Sequence, residues 1–214
     1  MNGRTTIALQ TRPLTLLGAA LGDAEGRRHA TPIRVAAVLF VTALTAAAAQ
    51  ISVPLPFTPV PFTFQPMVVL LGGALLGPRL GAVSQLLYLA LGMAGLPVFA
   101  ASPLLPQGAA RLMGPTGGYL MAYPLAAYVT GWCAGRGLDR RYVTSVVAMG
   151  AGLALVFTGG VLWLARFTSP DGSGLAWALR TGLYPFVVAD LIKLCLAAAV
   201  LPALWRLTGL GRRG

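Results

Sequence analysis

One hydrophobic segment, residues 183–204, carries the two side chains best suited to chemistry. Asp190 and Lys193 lie three residues apart in it, and Lys193 is the only lysine of the chain. A charge at the centre of a membrane helix costs about 2.5–3.5 kcal/mol on insertion scales, so such residues are rare and usually functional. Because positions i and i+3 share a helix face, both groups are expected to point the same way, into protein rather than lipid.

The pair allows two interpretations. It can be a structural ion pair that fixes one helix, or it can be a polar anchor for a ligand, and the rarity of intramembrane charges favours the anchor. Phe186 lies one helical turn before Asp190. It offers either ordinary packing or an aromatic wall beside the same site.

The composition of the chain indicates that Asp190 and Lys193 lie in a membrane domain. The chain has 214 residues, 57% of them hydrophobic and 10% charged, with a mean hydropathy of +0.76. Six spans of about 20 residues each fit this length. The sequence therefore predicts an all-α integral membrane protein with six transmembrane helices. We expect a tail at 1–33, one membrane domain at 34–207 and a short tail at 208–214.

The predicted spans follow from the hydrophobic runs and the turns between them. Gly77-Pro78-Arg79 is a tight turn, since glycine ends helices and proline begins them. The first span is expected at about 34–51, the second ends near Leu76, the third ends near Leu96, and the others cover about 119–134, 143–164 and 183–204. In the first span, Ala43 and Ala47 have the small-xxx-small spacing that lets another helix approach closely, within the bundle or from another subunit.

Five prolines between residues 54 and 66 exclude a regular helix there. The segment has no charged residue, and non-helical backbone at membrane depth is tolerated only where it is buried in protein or lines a cavity. We expect an apolar lid. Gln65 at its end is either a hydrogen-bonding group for a ligand or simply a helix-start residue.

The longest loop, residues 97–118, ends in Gly114-Pro115-Thr116-Gly117-Gly118, directly after Arg111-Leu112-Met113. Glycines without side-chain bulk bring backbone N–H groups close to whatever binds there. No Gly-Lys-Ser/Thr sequence occurs, so the chain has no recognisable ATP-binding loop of its own.

Several function classes are disfavoured by what the sequence lacks. The only histidine, His29, lies in the N-terminal tail, so no histidine metal site or intramembrane Ser/His dyad is expected. Cys133 and Cys195 fall in hydrophobic segments and are expected to be small buried residues. The net charge of +11 comes from arginines scattered at the ends of hydrophobic runs, which is not a nucleic-acid-binding pattern. We expect no metal and no cofactor.

The arginines instead predict orientation. With six spans, twelve arginines fall on the side of both termini and three on the other side, namely Arg111, Arg166 and Arg180. The positive-inside rule places the twelve, and both termini, in the cytoplasm. Asp190 then lies about 10 Å below the outer surface at 1.5 Å per residue, within reach of a ligand from outside.

Three segments together resemble the BioY family, the biotin-specific S components of energy-coupling factor (ECF) transporters. They are residues 49–65, Gly114-Pro115-Thr116-Gly117-Gly118-Tyr119-Leu120, and Ala189-Asp190-Leu191-Ile192-Lys193. The resemblance covers about residues 34–204 and implies a six-helix, multi-pass protein of the bacterial cytoplasmic membrane that captures biotin from outside. The partners it implies are a transmembrane coupling (T) component and two cytosolic ATPase subunits, besides membrane lipid. It assigns the face of Ala43 and Ala47 to docking of the T component.

The resemblance also implies a biotin site, with biotin as the transported ligand rather than a cofactor. Asp190 can accept hydrogen bonds from the ureido N–H groups and Lys193 can donate to the ureido oxygen, although these roles can be exchanged. Charge-assisted bonds of this kind contribute about 1.5–3 kcal/mol each. Phe186 and the lid supply apolar walls. The other expected ligand-binding residues are Tyr119, Thr116, Gly117, Gly118 and Gln65, with Arg111 or water at the valerate carboxylate.

Two other function classes fit the sequence less well. In a secondary transporter that acts alone, Asp190 is a proton or ion site, but no inverted repeat is visible in the sequence. A membrane enzyme lacks a second acid–base partner, because the hydrophobic segments hold one acid and no histidine. Uptake that survives without ATP but collapses with the proton gradient is the expected mark of the secondary transporter.

Overall fold

The computed structural model describes residues 15–21, 27–102, 106–166 and 174–209. Most of the tail predicted for residues 1–33, and residues 210–214 of the C-terminal tail, lie outside this part of the chain. Within it the protein is mainly helical. The helices are α1 Leu16–Leu21, α2 Arg27–Gln50, α3 Gln65–Leu76, α4 Pro78–Met93, α5 Ala110–Met113, α6 Gly117–Ala134, α7 Tyr142–Leu164, α8 Gly174–Gly182 and α9 Tyr184–Leu207.

Six of these helices correspond to the predicted spans, and turn chemistry explains their ends. Gly77 ends α3 with φ of 84°, and Pro78 begins α4 directly after it. Pro66 stands in the first turn of α3, where its missing N–H breaks no helical hydrogen bond. Helix α2, which corresponds to the first predicted span, begins earlier than the predicted residue 34. It extends back to Arg27, and Pro32 lies inside it.

Four short elements lie in segments where the sequence predicts no regular structure. A two-residue antiparallel pair joins β1 (Ser52–Val53) to β2 (Phe62–Thr63) across the proline-rich segment. Helix α5 lies in the loop before α6, and α8 follows the α7 connection. The sequence of α8 contains good helix formers, among them Leu175, Ala176 and Ala178.

The centre of the bundle is α6, which packs against α3, α4 and α7. Glycine permits this close approach, since a Cβ at Gly73 would overlap the Ala127 backbone and one at Gly131 would overlap the Gly77–Pro78 peptide. Helix α9 packs on α7 and α3, and α2 packs on α4 and α3. A side-chain hydrogen bond from Thr42 Oγ1 to the Ser84 carbonyl, 2.9 Å long, ties α2 to α4.

The helices carry an apolar outer surface that is typical of a membrane protein. In the described residues, three helical segments are both long and apolar enough to cross a bilayer: Ala30–Gln50, Tyr142–Leu164 and Tyr184–Leu207. Large hydrophobic side chains such as Phe40, Val188 and Leu196 are about two-thirds exposed. Because helices α3 and α4 are shorter, at 12 and 16 residues, the number of six spans stays a prediction.

Candidate functional site

Three connecting segments meet at one end of the helix bundle, which we call the loop end. They are the lid (residues 52–66), the segment 97–116 as far as it is described, and α8. Thr58 Oγ1 donates to the Thr181 carbonyl at 2.6 Å, and Gln50 Nε2 donates to the Pro97 carbonyl at 3.2 Å. Tyr119 in α6 donates its hydroxyl to the Gly182 carbonyl at 2.8 Å. The loops predicted to share one side of the membrane therefore lie together in the structure.

A cavity lies beneath these loops. It holds about 560 Å³ of atom-free space, including the part open to solvent. Six residues predicted to bind ligand line it: Gln65, Arg111, Thr116, Tyr119, Phe186 and Asp190. Most of the remaining wall is apolar, with contributions from the lid, α6 and α7. The structure thus brings together residues from segments more than 100 positions apart in the sequence.

Asp190 and Lys193 form an ion pair, and both are less than a tenth exposed. Their predicted orientation into the protein is confirmed. Asp190 lines the cavity, and its Oδ1 forms the ion pair with Lys193 Nζ. Lys193 is not part of the cavity wall. Its Nζ donates to the Thr63 carbonyl at 2.6 Å and lies 4.0 Å from the centre of the Phe62 ring.

Arg111 brings a second charge to the cavity. Its side chain is 2% exposed and donates hydrogen bonds to the carbonyls of Ala100 and Pro106. The described part of the chain contains only two acids, Asp139 and Asp190, and neither forms an ion pair with Arg111. Burial lowers the pKa of Arg111 below its ordinary value, yet a guanidinium stays charged at neutral pH. Among the described residues, the cavity wall therefore contains a cation without a carboxylate partner.

Thr116 adds an unused polar group. Its side chain is 6% exposed, and its Oγ1 has no hydrogen-bond partner among the described residues. Buried polar atoms are nearly always hydrogen-bonded in folded proteins. Because Thr116 lines the cavity, a polar ligand is the partner that this hydroxyl can take.

The other predicted ligand-binding residues already make contacts within the protein. Gln65 donates its Nε2 to the Tyr88 hydroxyl at 2.7 Å, and Tyr119 has its hydroxyl engaged by Gly182. Gly117 and Gly118 do not line the cavity. A Cβ at Gly117 would overlap the Leu112 carbonyl, and one at Gly118 would overlap the Gly159 carbonyl and Trp163. These two glycines therefore let the start of α6 pack closely.

Sequence reasoning missed two aromatic residues of the cavity wall, Tyr123 and Phe157. Tyr123 is one helical turn beyond Tyr119, so the two share a face of α6. That spacing could have predicted its position. Phe157 offered no such signal, because α7 contains no other residue that had been assigned to the site.

Ala43 and Ala47 lie on the outer surface of the helix bundle and do not line the cavity. Both are exposed on α2, beside the exposed side chains of Leu39 and Phe40. In the part of the chain that the structure describes, no other element covers this face. Their role in docking a partner stays a prediction, and the exposed position is compatible with it.

A second buried acid, Asp139, lies in the turn between α6 and α7, outside the predicted spans. It is 1% exposed and its Oδ2 accepts a hydrogen bond of 2.7 Å from Trp205 Nε1 of α9. Its Oδ1 has no hydrogen-bond partner among the described residues. Burial raises the pKa of Asp139 above its ordinary value of 3.8, although the Trp205 hydrogen bond opposes the shift.

The raised pKa predicts a pH-dependent stability. When the pKa of a carboxyl group is higher in the folded state than in the unfolded state, protonation of the group stabilises the fold. This contribution to the free energy of unfolding is complete below the unfolded-state pKa and is lost as pH rises through the folded-state pKa. Asp139→Asn cannot ionise, and its amide oxygen can still accept from Trp205. We expect the melting temperature of the variant to gain on the wild type as pH rises from about 4 to about 7. Thermal melts in detergent test this, and parallel pH profiles would contradict it.

Comparisons with known proteins agree along most of the chain. The model of the BioY family matches residues 27–209. The chain is 42% identical over 166 residues to a probable biotin transporter BioY from Pyrococcus horikoshii, which covers 78% of this chain and 92% of that one. It is 40% identical over 159 residues to the biotin transporter BioY of Thermotoga maritima, covering 74% and 88%. A crystal structure of the S-component for biotin from an ECF-type ABC transporter superimposes with a TM-score of 0.72 at 26% identity, covering 84% of this chain and 94% of that one.

Proposed function

The chain belongs to the BioY family, and we propose that it captures biotin as the substrate-binding S component of an ATP-driven ECF transporter. The resemblance inferred from three sequence motifs is confirmed by the family match. Its relatives are named as biotin transporters, and the similar solved structure is an S component for biotin. The chain is accordingly a membrane transport protein and not an enzyme, as the sequence predicts.

The observation that carries the proposal is the pair of unlike charges in the cavity wall. Asp190 presents a carboxylate, and Arg111 presents a guanidinium that no acid in the described ranges neutralises. Biotin carries the complementary groups, because its ureido ring has two N–H donors and its valerate ends in a carboxylate. We assign the ureido N–H groups to Asp190 and the carboxylate to Arg111. Thr116 Oγ1, which has no partner in the same part of the chain, supplies a further hydrogen bond.

The apolar part of the wall suits the rest of the ligand. Phe186 is 4% exposed and faces the cavity beside Asp190, while Tyr123 and Phe157 add aromatic surface. Small-molecule sites typically combine such walls with a few convergent polar groups. The thiophane ring and the methylene chain of biotin are the parts that these side chains contact.

The proposed arrangement in the membrane has six spans, α2, α3, α4, α6, α7 and α9, with both termini in the cytoplasm of a bacterial cell. The arginine distribution supports this orientation. So does the gathering of the lid, the segment 97–116 and α8 at the loop end, directly above the cavity. Biotin then enters from outside, and residues 34–207 form the membrane domain.

The proposed partners are a T component and two cytosolic ATPase subunits. The chain has no recognisable ATP-binding loop, so in this proposal the partner subunits bind and hydrolyse the ATP that drives uptake. The exposed small residues Ala43 and Ala47 on α2 support a docking face, because small side chains let a partner helix approach closely.

Larger side chains at positions 43 and 47 are expected to reduce biotin uptake without changing biotin affinity. Ala43→Leu and Ala47→Leu should leave biotin affinity of the isolated chain unchanged, since neither residue lines the cavity, but reduce ATP-driven uptake several-fold. Uptake of radiolabelled biotin into cells expressing the full transporter measures the effect. Ala154→Leu is the matched control, because Ala154 is an exposed alanine on α7. Lost binding with an intact complex would contradict the docking assignment.

Calorimetry on the purified full-length chain in detergent tests the proposed function directly. Biotin is expected to bind with a stoichiometry of one. Desthiobiotin, which keeps the ureido ring but lacks the sulfur, should bind more weakly because it loses apolar contacts. Biotin methyl ester should bind roughly tenfold or more weakly, because its neutral ester forms no charge-assisted bond with Arg111. Absence of any heat with biotin would overturn the proposal.

A further inference from the structure

A groove runs along the outer surface of the bundle between α7 and α9. It holds about 770 Å³ of atom-free space, including the part open to the surroundings, and it shares no lining residue with the cavity. Its large side chains are about half to two-thirds exposed, so no other element in the described ranges covers it. The lining residues are Tyr142 of α7 and, on α9, Leu191, Ile192, Cys195, Leu196 and Ala199.

The groove lies at the depth of the membrane hydrocarbon. Both of its helices are long and apolar enough to cross a bilayer, so an exposed apolar groove between them meets lipid chains. From Leu191 to Ala199 its floor extends about 12 Å along α9, at 1.5 Å per residue. Half of the hydrocarbon core is about 15 Å thick. The groove therefore matches the length of an acyl chain from one leaflet.

Two contacts join the end of α9 to the turn before α7, at the end of the bundle opposite the loop end. Trp205 Nε1 donates to Asp139 Oδ2 at 2.7 Å, and the Arg140 guanidinium lies 4.9 Å from the centre of the Trp205 ring. Asp139 is 1% exposed, so its carboxylate does not face the surface. The turn and the helix end are thus held side by side, with the arginines of both on the outside.

Arg141 and Arg206 lie at this end of the groove. Arg141 directly precedes Tyr142, the groove residue at the start of α7. Arg206 is two helical turns beyond Ala199, so it continues the groove face of α9 toward the helix end. Both arginines are exposed, and neither forms an ion pair with an acid of the described ranges. The apolar groove therefore ends beside two cations that can take an anionic partner.

We propose that this groove binds one anionic phospholipid, with an acyl chain along α9 and the phosphate against Arg141 and Arg206. Basic pockets between membrane helices on the cytoplasmic side bind acidic lipid head groups, and the guanidinium fork matches phosphate oxygens. The arginine distribution places this end in the cytoplasm, so the lipid comes from the inner leaflet. A free phosphate ester would use the arginines but leave the groove empty.

Native mass spectrometry of the full-length chain, purified in detergent, tests the proposal. The probes are dioleoyl-phosphatidylglycerol and dioleoyl-phosphatidylcholine, which have the same acyl chains and differ in head-group charge. We expect one phosphatidylglycerol to be retained per chain, with a preference of roughly tenfold or more over phosphatidylcholine. Equal retention of the two lipids would overturn the proposal.

A matched pair of double variants separates this site from the overall positive charge. Arg141→Gln with Arg206→Gln should bring the preference for phosphatidylglycerol close to one. Arg34→Gln with Arg79→Gln removes the same charge from two exposed arginines predicted on the same side of the membrane, away from the groove. This control should keep the preference. Equal loss in both double variants would mean that net charge alone attracts the lipid, contrary to the proposal.

The groove is tested by filling it. Ala199→Trp places a large side chain on its floor and should lower phosphatidylglycerol retention several-fold, while Ala154→Trp, at an exposed alanine of α7 outside the groove, should not. Unchanged retention in Ala199→Trp would overturn the proposal, also if the arginine variants fail to fold. Displacement of the lipid by millimolar glycerol phosphate would likewise overturn it, because the anion would then bind without the groove. None of these positions lines the cavity, so the outcome is independent of biotin binding.

Discussion

Replacement of Asp190 by asparagine is expected to weaken biotin binding by about 100-fold or more. The carboxylate is assigned to the ureido N–H groups, and each charge-assisted hydrogen bond contributes about 1.5–3 kcal/mol, which is roughly 10- to 150-fold in affinity. The asparagine side chain keeps one acceptor oxygen but has no charge, so it retains only part of this binding free energy. The change also leaves Lys193 buried without its counter-charge. Calorimetry of the full-length chain in detergent measures the loss.

Asp139→Asn provides the matched control for this experiment. It makes the same chemical change at the other acid among the described residues, which is also buried but bonds to Trp205 instead of lining the cavity. Its biotin affinity should equal that of the wild type. Equal losses in both variants would indicate general damage to the fold. Unchanged affinity in Asp190→Asn would leave Asp190 and Lys193 as a structural pair only.

The sequence predicts the position of Asp190 well because one physical constraint dominates. Charges cannot face lipid, and a spacing of three residues places Asp190 and Lys193 on one helix face. The proline-rich lid follows from an equally strong rule, since five prolines exclude a helix. In both cases local chemistry leaves few alternatives, and the structure places both elements at the cavity.

The destination of Lys193 could not be predicted in this way. Its hydrogen bond joins two residues 130 positions apart, and nothing local in the sequence specifies such a pairing. Gly117 and Gly118 show a related limit. A glycine-rich stretch fits close approach of a ligand or of another helix equally well, and here the structure shows packing against the Leu112 carbonyl and against α7. Whether their amides also meet biotin stays a prediction.

The short elements at the loop end were missed for an energetic reason. Strands of two residues and a four-residue helix have almost no intrinsic stability. Tertiary contacts hold them in place, such as the hydrogen bonds of Arg111 to the Ala100 and Pro106 carbonyls beside α5. The long helices have their own hydrophobic signal, and only their ends shift, as at Arg27.

Arg111→Met is expected to remove the preference of the site for a carboxylate. In the wild type, biotin should bind about tenfold or more tightly than its methyl ester, because only the acid forms a charge-assisted bond with the guanidinium. The variant should lose affinity for biotin while its affinity for the ester changes little. The ratio of the two dissociation constants should therefore fall toward one. Competition binding with both ligands measures this ratio.

The ratio also separates recognition from structural support. Arg111 holds the carbonyls of Ala100 and Pro106, so its loss can loosen the segment around the cavity. Loosening weakens acid and ester alike and leaves their ratio unchanged, which would contradict the assignment of Arg111 to the carboxylate. Arg111→Lys sharpens the comparison, because it keeps the charge but loses the planar fork. It should preserve part of the discrimination even if both affinities fall.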